Sequence, residues 1–165
     1  MKNILAAIEQ LAAGQPPDEP MWMIDGVHEA TRSTWIAVSS IGEVQRRTRA
    51  IDALPSSTGR GREDYDIEVL GKAGPDLLTW LAQVLLANGL PELAALAPVQ
   101  DGPRYTLKVA LGSHRFDLSV DHSRLTSHDH LRTIHEAFCW LGANVTRPND
   151  DDDDEPPTAI ATFPR

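Results

Sequence analysis

The stretch Tyr105-Thr106-Leu107-Lys108-Val109-Ala110-Leu111-Gly112-Ser113-His114-Arg115-Phe116-Asp117-Leu118-Ser119-Val120 decides the fold. Tyr105, Leu107, Val109 and Leu111 alternate before Gly112-Ser113, and Phe116, Leu118 and Val120 alternate after it. A two-residue turn pairs Val109 with Phe116, Leu107 with Leu118 and Tyr105 with Val120, so the apolar side chains share one face while Lys108, Asp117 and Ser119 take the other. A ribbon with one apolar face needs a cover. Burying its face at ~1.5 to 3 kcal/mol per large side chain is a leading stabilising contribution before chain entropy is subtracted.

Two amphipathic segments supply that cover. Pro75 and Asp76 suit a helix start and Asn88-Gly89 a stop, which predicts a helix over 75–88. Its broad apolar arc, Leu77, Leu78, Trp80, Leu81, Val84 and Leu85, implies burial against a sheet. Thr126-Ser127-His128-Asp129 fits a capping box ahead of a helix over 127–141 with Leu131, Ile134, Phe138 and Leu141 as its stripe. A third helix is expected over 3–13, capped by Asn3 and closed by Gly14 and Pro16-Pro17, and a short one follows Pro91 over 92–97.

Further strands are expected around Met21 to Ile24, Thr34 to Val38, and Tyr65 to Val69, where Tyr65, Ile67 and Val69 alternate with acids. Residues 41–54 suit a helix or an exposed strand equally. The expected architecture is α+β, a two-layer sandwich whose mostly antiparallel sheet, including hairpin 105–120, is covered on one face by helices 75–88 and 127–141, with an N-terminal helix 3–13. Trp22, Trp35, Trp80 and Trp140 fall in four different elements, as a shared core requires.

The single cysteine, Cys139, excludes an internal disulfide and any Cys-x-x-Cys motif, which fits a reducing, cytoplasmic setting. The longest uncharged stretch, 77–91, is shorter than the ~18 residues of a membrane span. Net charge is −9, but residues 149–165 carry six acids and one Arg, leaving only −4 on residues 1–148. Asp150, Asp151, Asp152, Asp153, Asp154 and Glu155, flanked by prolines, cannot collapse into a core. One domain over 1–147 and an acidic, proline-rich tail over 148–165 are therefore expected.

Chemistry-bearing patterns are sparse. On a helix, His128, His135 and Cys139 fall within ~40° of one another, and His135-Glu136-Ala137-Phe138-Cys139 has HExxH spacing with Cys in place of the second His. That makes His128, His135 and Cys139 candidate metal ligands of an enzyme with Glu136 as its base; histidines on a polar face and Cys139 packed as a small hydrophobe are the alternative. Gly59-Arg60-Gly61-Arg62 lacks the Lys-Ser/Thr of a nucleotide loop. No cofactor is implied.

Arg46, Arg47, Arg49, Arg60 and Arg62 put five of the 15 basic residues into 17 positions. A nucleic-acid footprint would read this way, but no aromatic is interleaved and the acidic tail would repel phosphate. The tail folding back over these arginines is the intramolecular alternative.

The element order, helix, strands, helix, hairpin, helix, resembles over residues 3–141 that of the class I type III secretion chaperones. That resemblance implies a small acidic homodimer that binds an extended segment of an exported protein. The Arg-rich stretch 41–64 and the acidic tail depart from it. The expected function is a non-enzymatic protein-binding module acting through its surface, either chaperone-like or an inhibitor of the toxin-immunity or phage anti-defence type. Asp150 to Glu155 and the five arginines are its candidate contacts, with a basic partner surface facing the acids or an open strand edge engaging the target.

Overall fold

The computed structural model describes residues 2–50, 66–96 and 102–145. The chain runs α1 (Lys2–Ala12), β1 (Met21–His28), β2 (Arg32–Ser39), β3 (Glu43–Ala50), β4 (Asp66–Lys72), α2 (Pro75–Ala87), α3 (Leu90–Leu93), β5 (Arg104–Leu111), β6 (His114–Asp121), α4 (Arg124–Ser127) and α5 (Asp129–Asn144). The six strands form one sheet in the order β4-β3-β2-β1-β5-β6, and every neighbouring pair is antiparallel. This is the α+β arrangement that the hairpin required.

The hairpin register is as expected: Val109 pairs with Phe116, Leu107 with Leu118 and Tyr105 with Val120. Gly112 takes φ 54° in the turn, a left-handed conformation that costs glycine nothing. Residues 43–50, open to either reading in the sequence, form a strand: Val38 pairs with Val44 and Ile36 with Arg46, so the segment extends a ladder already in place.

The helices all lie on one side of the sheet. α1 covers β5 and β6, α5 lies across β1 to β3, and α2 packs mainly on α1 and α5. Leu78, Leu81, Ala82 and Leu85 of α2 join the same buried cluster as the strand residues, with α1 and α5 as its main neighbours, as the sequence expectation had it. Met21, Met23, Val38, Val44, Tyr105, Leu107, Val109, Leu118 and Val120 point into this layer and meet Ile4, Ile8, Leu11, Leu81, Leu85, Leu131, Ile134, Phe138 and Leu141.

Two local expectations change. The capping box does not form: Thr126 and Ser127 belong to α4, where Thr126 Oγ1 donates to the Ser123 carbonyl, and His128 is the N-cap of α5 without a side-chain cap bond. The tryptophans do not share one core. Trp80 and Trp140 make an edge-to-face pair at 5.3 Å beside the helical layer, while Trp22 and Trp35 lie on the opposite, helix-free face. The last part of the expected helix 92–97 and the acidic tail lie outside the described residues. No helix among the described residues is long and apolar enough to cross a membrane.

Candidate functional site

Putting every helix on one side leaves the other face of the sheet bare, and alternation decides what it carries. On β1 the residues Met21, Met23 and Asp25 turn to the helices, so Trp22, Ile24, Gly26 and His28 turn away. Their cross-strand partners follow: Trp35 opposite Gly26, Ala37 opposite Ile24, Thr106 and Lys108 on β5, Arg47 opposite Trp35, and Ile67 opposite Arg47. The result is a surface of aromatic, branched and cationic side chains, on which Lys108 is paired with Asp117 at 3.7 Å.

Its centre is tightly seated. The Trp35 ring lies against Gly26, where a Cβ would overlap it, and is only 7 % exposed. His28 meets Trp35 edge-on at 4.8 Å and hydrogen-bonds Ser33 Oγ at 3.0 Å and Thr106 Oγ1 at 3.2 Å. Arg47 places its guanidinium 5.0 Å from the centre of the Trp22 ring, a cation–π contact. Burial, followed by the positive charges of Arg104, Lys108 and Arg49, holds His28 down at about 4. Burial is the main cause, and the neighbouring positive charges act in the same direction.

The margin of the face at β4 is different. β4 is the last strand of the sheet, and Ile67 and Val69 are 57 % and 52 % exposed. They belong to the same face as Arg47 and Gln45, with which they pair. No described residue pairs with the outer edge of β4, so its outward amides and carbonyls stand beside two exposed branched side chains.

The candidate arginines do not act as one patch. Arg47 joins the bare face, but Arg46 points to the helical side with Ile36 and pairs with Glu68 at 3.2 Å. The charge of Arg49 is felt at His28. Arg60, Arg62 and Asp150 to Glu155 lie outside the described residues. The aromatic residues missing from the Arg-rich segment do accompany it, but from β1 and β2, and alternation across paired strands is the signal that would have found them.

A second cluster sits on the covered side. Asp25 is the one acid in the inward phase of β1 and is 2 % exposed. His135, from α5, donates through Nδ1 to Asp25 Oδ1 at 2.8 Å, and its Nε2 lies 3.6 Å from Cys139 Sγ. The Tyr105 ring stands edge-on to His135 at 5.7 Å. Asp25 Oδ2 and the Tyr105 hydroxyl are buried without a hydrogen-bond partner among the described residues.

Burial disfavours the His135 imidazolium, yet hydrogen bonds to Asp25 and Cys139, with their charges, outweigh it and raise His135 to about 10. Burial pushes the Asp25 carboxyl up, opposed by the bond and charge of His135 and by the nearby Tyr105 hydroxyl. Burial, followed by the Asp25 charge, pushes the Tyr105 phenol well above its ordinary value.

The metal expectation is not supported. Among the described residues no group of three or more His, Cys, Asp or Glu side chains is placed to hold a metal ion. His128 sits outside α5 in extended backbone and packs near His130, while His135 spends Nδ1 on a carboxylate from β1. Cys139 is exposed and not a packed hydrophobe. Sequence spacing missed Asp25, which is 110 residues from His135; an acid in the buried phase of a strand was the available signal.

A comparison with models of known protein families gives no match, and neither does a comparison with curated protein sequences.

Proposed function

We propose that the chain is a protein-binding module that takes an extended, acidic and apolar segment of its partner along β4 and over the adjoining bare face of the sheet. The observation that carries this reading is the exposure of Ile67 and Val69, 57 % and 52 %, on an edge strand next to Arg47 and Trp22. An added strand would gain main-chain hydrogen bonds from the edge, and alternate side chains would reach the face. Acidic side chains on that segment would meet Arg47 and Arg49 on the neighbouring β3. Apolar ones would cover Ile67 and Val69.

Base stacking is the less favourable use of the same surface. Trp35 is laid flat and largely buried, and one neighbour of Trp22 is already a guanidinium, so the aromatic faces a single strand needs are taken up.

Selection of displayed random 12-residue peptides on the folded protein tests the reading. The enriched sequences should alternate Asp or Glu with Val, Ile, Leu or Phe, and their Kd should weaken at least ~10-fold, about 1.4 kcal/mol, with Val69→Asp and again with Arg47→Glu. Enriched peptides indifferent to both substitutions would remove β4 and the bare face as the binding surface.

A further inference from the structure

The bare face leaves Asp25, His135 and Cys139 without a part to play, and their arrangement is chemically directed. A buried carboxylate without a partner costs several kcal/mol, so Asp25 holds the imidazole that reaches it. Because Nδ1 donates to Asp25 Oδ1, Nε2 is the nitrogen turned to Cys139 Sγ at 3.6 Å. The second oxygen of Asp25 is enclosed near the Tyr105 hydroxyl, so the carboxylate acts on both the phenol and the imidazole. The sulfur itself is exposed to solvent. A nucleophile, an imidazolium beside it and a carboxylate that orients the imidazolium are thus in line, with the nucleophile outward.

We propose that Cys139 is a reactive thiol that is modified by small disulfides, with the His135 imidazolium holding the attacking thiolate and Asp25 as the residue that positions His135. Thiol–disulfide exchange needs a sulfur that is accessible and can lose its proton, and here the exposed Sγ has His135 Nε2 beside it at 3.6 Å. The Cys139 proton passes to water, and the imidazolium Nε2–H donates to the thiolate. The Cys139 thiolate then attacks one sulfur of the disulfide RS–SR; a Cys139–SR bond forms as the S–S bond breaks, and the other half leaves as RS⁻. The departing thiolate takes a proton from water and leaves as RSH, with His135 still protonated and held by Asp25. Cys139 is oxidised and one half of the disulfide is reduced, so electrons and protons balance. Exchange with a reduced thiol reverses the step.

The test is the second-order rate of Cys139 with glutathione disulfide at pH 7, followed by intact mass. The folded protein should give a monomer carrying one added glutathione, at a rate at least ~10-fold above that of the same chain unfolded in urea and at least ~10-fold above that of His135→Gln, because a cation beside the sulfur favours its thiolate. The comparison with the unfolded chain stands even where His135→Gln fails to fold. A folded-state rate equal to or below the unfolded one overturns the proposal. So does a disulfide-linked dimer as the sole product, which would make a second copy of the chain the reactant.

Discussion

The two faces of this sheet share six strands and one backbone, yet they differ in how their side chains are held. On the covered face Leu107, Val109 and Tyr105 are at 0 % exposure beneath α1 and α5. On the bare face burial is local: Trp35 is enclosed by its neighbours on the sheet, and toward β4 Ile67 and Val69 remain in solvent. The one buried acid of the covered layer, Asp25, needed a dedicated partner from a helix, whereas on the bare face Arg47 lies over the Trp22 ring. Identical strand geometry becomes core or surface according to what is laid over it.

The largest expected contrast is between the same kind of substitution on each face. Leu107→Asp places a charge in the closed layer and should cost more than ~4 kcal/mol, enough to prevent folding. Ile67→Asp should stay within ~0.5 kcal/mol in urea unfolding. Similar losses for the two variants would erase the distinction between the faces.

The Asp25 and His135 pair gives the next effect. His135→Leu alone strands a buried carboxylate and should cost ~3 to 5 kcal/mol, while the double change Asp25→Leu with His135→Leu should recover most of that loss. Chemical denaturation of the two variants checks it; an additive double variant would mean that the two groups do not depend on each other.

On the bare face, Gly26→Val drives a side chain into the Trp35 ring and should cost ~1 to 3 kcal/mol, with a change in tryptophan fluorescence from the displaced ring. Unchanged fluorescence and stability would show that Trp35 is not seated on Gly26.

The effects of pH run in opposite directions on the two faces. His28 titrates near 4 when folded against an ordinary 6.5, so the native state binds fewer protons and the His28 contribution is lost as pH falls from 6.5 to about 4. His135 titrates near 10, so its contribution is fully present below 6.5 and is lost as pH rises toward about 10. His28→Gln should flatten the acid side of the stability profile and leave the alkaline side unchanged; any other pairing of variant and limb would contradict the assignment.

Sequence reading reached the parts of this molecule that are local. The hairpin register follows from alternation around Gly112, and α2 and α5 from stripes and stop signals, because neighbouring residues supply all the needed terms. The strand at 43–50 was undecided because its pattern, with Val44 the only buried apolar residue of Glu43 to Arg49, acquires a period only from β2 beside it. The two candidate sites were illegible for the same reason. Trp22 and Arg47 meet across strands, and Asp25 and His135 meet across the layer, so each half looks like an ordinary surface or core residue until topology brings in the other.

Methyl NMR in the presence of a soluble paramagnetic agent tests the division of the faces most directly. The Ile67 and Val69 methyl signals should broaden strongly while those of Leu107, Val109 and Ile134 stay sharp, and a β4-binding peptide should restore the first pair alone. Protection of Ile67 and Val69 in the free protein, at the level of Leu107, would contradict a sheet with one face closed and the other open to solvent.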